Sequence, residues 1–284
     1  MTIVGLRRRG VTRGGNVMRV SKLKTRVAAV SVLAISASGL AAAAAPAAMA
    51  AGCPAGQTSW MIVKQANKVQ GLLTSDNWGG GTACETNAGR VADFTVTQPA
   101  SSYASSNVLA YPDIEVGCQG GYCTTDSGLP AAESSITPEV TWSTTNNPQS
   151  GSKFDTGIDS WFASSRSEGS KPTPTGEVMV LINSSGFSSL DLPSSGTQVS
   201  IDGYEWYVTY SPAGSRGWPD TTYALAQGSV VNSVSRLDMA NFYADAMAND
   251  NLPSGQYLTD IGAGNEIWDG GVGLSTTSLQ FSGL

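Results

Sequence analysis

The sequence contains no histidine among its 284 residues. This absence excludes the Ser-His-Asp and Cys-His forms of nucleophilic catalysis. It also excludes every zinc site that uses histidine as a ligand. Acid–base chemistry near neutral or acid pH would then depend mainly on carboxyl groups. We expect no metal site and no cofactor.

Basic residues are scarce once the N-terminal segment is set aside. The chain has 16 Lys+Arg and 22 Asp+Glu, and eight of the basic residues but none of the acidic ones lie in residues 1–50. The rest of the chain therefore has a formal net charge of 8 − 22 = −14. This charge argues against a nucleic acid or an anionic membrane surface as a partner. It fits a soluble protein that acts on a neutral substrate, although acidity that serves only solubility explains it equally well.

The first 50 residues have the pattern of an export signal. A basic region (1–26) precedes an Ala-rich apolar run (27–45), which ends at the A-x-A type cleavage site Pro46–Ala50. The run is shorter than a comfortable membrane span. We predict a secretory signal peptide over 1–50 and a secreted, monomeric domain over 51–284, with no membrane contact after cleavage. A twin-arginine signal at "LRRRGVT" is an alternative, but the apolar run begins too far downstream.

The four cysteines, Cys53, Cys84, Cys118 and Cys123, all lie in the part predicted to be exported. An even number of cysteines in an oxidising compartment predicts two disulfides. Cys118 and Cys123 are close enough in sequence to staple one loop, which would leave Cys53 with Cys84. Four cysteines allow three pairings, and the sequence does not decide among them. A four-cysteine zinc site is the alternative, but the spacing lacks two short C-x-x-C pairs.

Period-two alternation dominates the mature chain and predicts one all-β domain. Asp202-Gly203 between two strand segments is typical of a two-residue hairpin turn. The spacing of short strands and turns predicts a sandwich or a jelly roll. The other predicted strands are "ADFTVTQ" (92–98), "EVTWST" (139–144), "GIDSWFA" (157–163), "GEVMVLIN" (176–183) and "STTSLQFS" (275–282), and 143–153 is predicted to be a loop.

One segment has helical periodicity instead. Residues 233–250 place Leu237, Ala240, Ala244 and Met247 on one helix face, and Ser235 followed by Asp238 is a plausible variant of the capping box. We predict an amphipathic helix that covers a sheet surface.

Three predicted strands each place a carboxyl and a large apolar side chain on one face, because successive side chains of a strand point to opposite sides. Val178, Val180 and Ile182 take the other face of their strand and are predicted core. The three face-sharing sets are Glu177 with Met179 and Leu181, Asp159 with Trp161, and Glu266 with Trp268.

Paired carboxyls with aromatic neighbours are what glycoside hydrolysis requires. One carboxyl must be protonated to donate to the leaving oxygen, and the other must be ionised to attack or stabilise the anomeric carbon. An apolar neighbour raises the pKa of a carboxyl, which helps the acid to stay protonated. Indole rings can stack on the apolar faces of sugars. Each segment taken alone also fits an ordinary surface acid beside a buried tryptophan.

The segment "YLTDIGAGNEIWDGGVGL" (257–274) resembles glycoside hydrolase family 12, the endoglucanases of cellulase family H. The family's Y-L … A-G-x-E-x-W-x-x-G-x-G-L pattern is met across this segment, and other blocks follow in the family's order over roughly 70–282. These blocks are "NWG" (77–79), "YP" (111–112), "GC" (117–118), Cys123, "LP" (129–130), "DSW" (159–161) and "EVMVLIN" (177–183).

The resemblance implies a β-jelly roll of two curved antiparallel sheets, one packed helix and a cleft across the concave sheet. It implies retaining hydrolysis of internal β-1,4-glucosidic bonds in a β-glucan polysaccharide. It assigns Glu177 as the nucleophile, Glu266 as the acid/base and Asp159 as the carboxyl that supports the nucleophile. It also implies the disulfides Cys53–Cys84 and Cys118–Cys123. The residues expected to bind substrate are Trp78, Asn77, Trp161, Met179 and Trp268.

Three residues depart from the family pattern beside the catalytic pair. Leu181 stands where the family usually has Trp, Asn265 replaces Phe or Thr, and Ile267 replaces a common Pro. These departures leave the preferred glucan open between cellulose, xyloglucan and mixed-linkage glucan. A carbohydrate-binding sandwich without catalysis is the alternative from another functional class. The glycines around Glu266 are expected to let the sugar chain approach the backbone closely.

Overall fold

The computed structural model describes residues 60–87, 89–101, 105–119, 121–166, 173–187, 196–214, 217–226 and 231–284. The predicted signal peptide and Cys53 lie outside these ranges. The described residues form two β-sheets and one α-helix, so the predicted all-β class is confirmed. No helix among them is long and apolar enough to cross a membrane.

The larger sheet contains the segments that carry the predicted site. Its strands are β1 Trp60–Lys64, β2 Gln70–Thr74, β5 Asp113–Gln119, β6 Tyr122–Cys123, β7 Ala131–Ala132, β9 Lys153–Ala163, β10 Gly176–Ser185, β11 Thr197–Ile201, β12 Tyr204–Ser211, β13 Asp220–Leu225 and β15 Tyr257–Asp269. Their order across the sheet is β1-β2-β5-β15-β9-β10-β13-β12-β11, with β6 beside β5 and β7 beside β15.

The smaller sheet has five strands within the described residues. They are β3 Cys84–Thr86, β4 Phe94–Gln98, β8 Glu139–Asn146, β14 Ser233–Asp238 and β16 Leu274–Ser282, in the order β14-β8-β16-β4-β3, and a 3₁₀ turn occupies Glu133–Ser135. The strand pairs are antiparallel except for β10 and β13, which run parallel within the described residues. The predicted loop 143–153 is shorter than expected, because β8 continues to Asn146 and β9 begins at Lys153.

The apolar core takes side chains from both sheets. Ile158, Val180 and Ile182 from the larger sheet and Trp142 and Phe281 from the smaller one are fully buried in a single cluster. Burial of these side chains removes apolar surface from water, which is the main favourable term in folding. The predicted hairpin at Asp202-Gly203 is confirmed, since Ile201 pairs with Tyr204 and both turn residues have the positive φ of a type I′ turn.

The predicted helix over 233–250 is wrong in its first part. The helix α1 spans Met239–Ala248, while 233–238 form β14 and pair with β8. Asp238, not Ser235, caps the helix, because its carboxylate accepts a hydrogen bond from the Ala240 N–H. The packing role is confirmed, but the predicted apolar face is wrong, because Ala244 is exposed and the buried residues of α1 are Met239, Phe242, Tyr243 and Ala246. Phe242 contacts Trp206 and Tyr223, and Tyr243 contacts Phe162, all edge to face.

Candidate active site

Three neighbouring strands bring the predicted carboxyls to one side of the larger sheet. β9 lies between β10 and β15. Asp159 is opposite Met179 of β10 and Gly262 of β15. Val178, Val180 and Ile182 point to the opposite side, where they are fully buried. The alternation predicted for these strands is confirmed, and we call the side away from the core the acidic face. Its carboxyls are Asp113, Glu115, Asp155, Asp159, Glu177, Asp220, Asp260 and Glu266.

Glu177 lies at the start of β10, with Trp161 of β9 on one side and Asp220 of β13 on the other. The side chain is 8% exposed. The Trp218 indole donates a hydrogen bond from Nε1 to Glu177 Oε2 over 2.8 Å. This contact gives the buried carboxyl a donor, and a donor-only group favours the ionised form of its partner.

The charges of both predicted catalytic glutamates, Glu177 and Glu266, act on the pKa of Asp159. Burial raises its pKa well above the usual range, and the negative charges of Glu177 and Glu266 raise it further. A hydrogen bond with the Trp161 side chain acts in the opposite direction. The pKa of Asp159 therefore depends on both of the predicted catalytic glutamates.

Glu266 faces Asp155 across the pair of strands β15 and β9. Burial raises the pKa of Glu266 well above its usual range, and the charge and hydrogen bond of Asp155 and the charge of Glu177 add to this effect. Burial raises the pKa of Asp155 to about 7, although hydrogen bonds from the Glu266 side chain and backbone lower it. The arrangement supplies one carboxyl with a raised pKa, Glu266, and another, Glu177, that has a donor for its anion.

No protein-family sequence model matches the chain, and no curated protein matches it. Solved structures do match. The crystal structure of a metagenome-derived glycoside hydrolase family 12 endoglucanase superimposes with a TM-score of 0.67 at 26% identity, over 80% of this chain and 97% of that one. Endoglucanase Cel12A from Rhodothermus marinus gives 0.67 at 26% identity, over 78% and 95%.

This chain has the fold of glycoside hydrolase family 12. A family 12 xyloglucanase from Bacillus licheniformis also shares that fold, with a TM-score of 0.63 at 20% identity over 80% of this chain and 99% of that one. The resemblance indicated by the sequence motifs is thereby confirmed for the fold.

Within this family 12 fold, Trp78 and Asn77 lie in the loop after β2. Trp78 is 62% exposed, as a sugar-stacking ring would be. Asn77 is buried, and its amide both donates to the Ala83 carbonyl and accepts from the Ala83 N–H. Asn77 therefore fixes the loop that presents Trp78, and its contact with substrate stays a prediction.

Trp268 lies two residues after Glu266, at an irregularity of the register between β15 and β9, and is partly buried. Its ring lies 4.7 Å from the Phe187 ring, nearly perpendicular to it. The Lys153 ammonium group lies 4.7 Å from the centre of the Phe187 ring and 5.7 Å from that of Trp268. Met179 is partly buried beside Asp159. Leu181, by contrast, is 3% exposed and leans over Gly157, so it offers no aromatic platform.

The glycines of β15 serve a purpose other than the expected one. A Cβ at Gly262 would lie 2.5 Å from Asp113 Oδ2, and a Cβ at Gly264 would lie 2.4 Å from Asp113 Cβ. The space that these glycines leave is filled by a carboxyl of β5 and not by an open approach for sugar. The expectation that they admit substrate is therefore wrong at these two positions.

Asp113, Glu115 and Asp260 form a second buried group on the acidic face. Each is at most 5% exposed. Burial raises all three pKa values well above the usual range. The charge of Glu115 adds to this effect at Asp113, that of Asp260 adds at Glu115, and that of Asp113 adds at Asp260, where a hydrogen bond with Glu115 acts in the opposite direction. One oxygen of Asp113 and one of Asp260 accept no hydrogen bond within the described residues.

The three cysteines within the described residues agree with the predicted disulfide pairing. Cys118 and Cys123 form a disulfide that joins β5 to β6. Cys84 is also disulfide-bonded, and Cys53 lies outside the described residues. No group of His, Cys, Asp or Glu side chains suited to a metal ion is found in the described part of the chain.

Sequence reasoning missed Asp155, Trp218 and the buried group of β5. The signal for Asp155 is present, because "FDTGIDSWF" alternates back to Asp155, but the predicted strand begins at Gly157, four residues after the observed start of β9 at Lys153. The segment "DIEVG" (113–117) alternates in the same way and places Asp113 and Glu115 on one face. Trp218 lies in a turn, where no periodicity indicates the direction of a side chain.

Proposed function

We propose that this protein is a secreted, retaining endo-β-1,4-glucanase. The observation that carries the proposal is that Glu177 and Glu266 stand on the same face of one sheet, close enough for the charge of Glu177 to raise the pKa of Glu266. The family 12 endoglucanases that share the fold at 26% identity support the substrate class.

In the first step, the Glu177 carboxylate attacks the anomeric carbon while Glu266 donates its proton to the leaving glycosidic oxygen. The glycosyl ester at Glu177 forms as the glycosidic bond breaks. In the second step Glu266, now ionised, takes a proton from a water molecule, which attacks the same carbon and releases Glu177. Two inversions leave the configuration at that carbon unchanged.

Asp159 and the exposed Trp78 complete this assignment. Burial and the charges of Glu177 and Glu266 raise the pKa of Asp159, and a protonated Asp159 can donate a hydrogen bond to Glu177, which orients the nucleophile. Trp78 offers an open indole face on which a glucose ring can stack, since sugar C–H groups are apolar. Trp161 lies opposite Glu177 on the acidic face, and Trp268 lies two residues beyond Glu266.

Leu181 bears on which glucan is preferred. Because leucine is aliphatic, the position beside Ala224 and Gly157 has no aromatic ring on which a sugar could stack, which weakens the binding of a plain cellulose chain. A substituted chain such as xyloglucan is the second candidate, and the fold shared with a family 12 xyloglucanase agrees with it.

The test is the release of reducing ends from carboxymethylcellulose, xyloglucan and barley mixed-linkage glucan, with the anomeric configuration of the new ends followed by proton NMR. We expect hydrolysis of at least one glucan and β-configured ends at early times. Binding without hydrolysis of all three would favour a carbohydrate-binding sandwich, and α-configured ends would refute the retaining mechanism.

A further inference from the structure

Two tryptophan side chains lie beside Glu177 on the acidic face. Trp218 donates from Nε1 to Glu177 Oε2 over 2.8 Å. Trp161 lies opposite Glu177 in the antiparallel register of β9 and β10. The two indole rings touch edge to face, with centroids 5.5 Å apart and planes at 66°. Trp161 therefore packs against the indole that donates to Glu177.

The backbone fixes Trp218 relative to Glu177. The residue after Trp218 is Pro219, whose carbonyl accepts a hydrogen bond from the Glu177 N–H over 3.0 Å. The next residue, Asp220, pairs with Glu177 in the parallel register of β10 and β13. The main-chain bond and the indole bond thus join the same two short segments, so the backbone holds Trp218 within reach of Glu177, and the edge-to-face contact with Trp161 restrains its ring.

The hydrogen bond from the indole favours one protonation state of the Glu177 carboxyl, the ionised one. An indole N–H donates and cannot accept a hydrogen bond. It therefore stabilises an ionised carboxylate and cannot bind the O–H of a protonated carboxyl. Asp159 is near enough to Glu177 for each negative charge to oppose the other. Two neighbouring carboxyls do not both ionise readily, and one of them keeps a proton.

We propose that Trp218 is a positioning residue: through its bond to Oε2 it keeps Glu177 ionised and oriented, and it leaves the proton of this carboxyl pair on Asp159. The inference rests on the proposed function for the meaning of Glu177 as nucleophile. The hydrogen bond itself can be tested without that function.

The variant Trp218→Phe removes the N–H and keeps most of the aromatic surface. We expect the acid limb of kcat/KM to move to higher pH by roughly one to two units, because a hydrogen bond to a charged group is worth about that much. At the optimum, kcat should fall about tenfold, with a smaller change in KM. Trp218→Leu, which also lacks a donor, should move the acid limb in the same direction.

Trp206→Phe is the matched control. Trp206 donates from Nε1 to the Ile201 carbonyl over 3.0 Å, but it is fully buried on the core side of the sheet. This variant should lose stability and keep the acid limb of the wild-type protein. An acid limb that moves equally in Trp206→Phe and Trp218→Phe would overturn the proposal, and so would an unchanged limb in folded Trp218→Phe.

A second measurement does not need activity. Carbon-13 NMR of the side-chain carboxyls, with Glu177 assigned by the signal lost in Glu177→Gln, gives its titration midpoint directly. We expect this midpoint to rise in Trp218→Phe and that of Asp159 to fall. If the wild-type protein hydrolyses no glucan, the proposed function is refuted, but the titration result still tests the hydrogen bond. If the enzyme is active and the two midpoints do not move in Trp218→Phe, only the role of Trp218 is refuted.

Discussion

Asp155 and Glu266 lie directly opposite each other on the neighbouring strands β9 and β15. Two like charges placed this closely cannot both be present at low cost, and the charge of Asp155 adds to the burial that raises the pKa of Glu266 well above its usual range. Glu266 is the proposed proton donor. Asp155 therefore sets how strongly the donor retains the proton that the first chemical step consumes.

Asp155→Asn tests that coupling. The amide removes a negative charge that raises the pKa of Glu266, so the highest carboxyl titration midpoint that disappears in Glu266→Gln should fall by about one unit or more. Carbon-13 NMR titration measures it. A midpoint that stays in place, or rises, would contradict the pairing of these two groups.

Glu177→Gln and Glu266→Gln should each lower kcat by at least ~10³-fold, because each removes a group that takes part in bond making or proton transfer. The thermal midpoint should stay close to that of the wild-type protein. Glu139→Gln is the control: this glutamate lies on the smaller sheet, paired with Arg236 at the surface, and its loss should leave kcat unchanged. Near-normal turnover in either active-site variant would refute the catalytic roles of these two glutamates.

The buried group Asp113, Glu115 and Asp260 makes stability depend on pH. Their pKa values are raised in the folded state, so between the ordinary carboxyl range and the raised values the unfolded chain binds fewer protons than the folded one. Stability is then fully present below about pH 4 and is lost as pH rises toward the folded values. We expect the thermal midpoint to decline from acid toward neutral pH.

Asp260→Asn should flatten this decline, because an amide carries no proton to lose. Asp126→Asn, at an exposed carboxyl, should follow the wild-type curve. Calorimetry between pH 4 and 8 measures both. A stability maximum at pH 7 or above in the wild-type protein would show that these carboxyls are ionised in the folded state.

Trp78 should contribute to binding and little to folding, since it is 62% exposed. Trp78→Ala should raise KM for a soluble glucan about tenfold, equivalent to ~1.4 kcal/mol of lost stacking. Trp78→Phe keeps an aromatic face and should lose much less. Equal KM values for the wild-type protein and Trp78→Ala would place the substrate elsewhere.

Alternation in the sequence was enough to sort the faces of β10, β9 and β15, because the side-chain period of a strand is fixed by its backbone geometry. This alternation assigns Val178 and Val180 to the core. It assigns Glu177, Asp159 and Glu266 to the opposite side of the sheet. The hairpin at Asp202-Gly203 is also predictable from a local pattern, because its two-residue turn accepts only residues that tolerate a positive φ. Helical periodicity failed at 233–238, where pairing with β8 overrode it.

Local patterns in the sequence therefore suffice for the strands, the tight turn, the core face and the carboxyls opposite it. Which carboxyls meet depends on strand order and register between segments far apart in the chain, and these are fixed only when the sheet forms. Pairing of β15 with β9 placed Asp155 against Glu266, and the parallel pairing of β10 with β13 carried the Trp218 turn to Glu177. The pKa of each carboxyl follows from those neighbours and from burial, neither of which a local pattern contains.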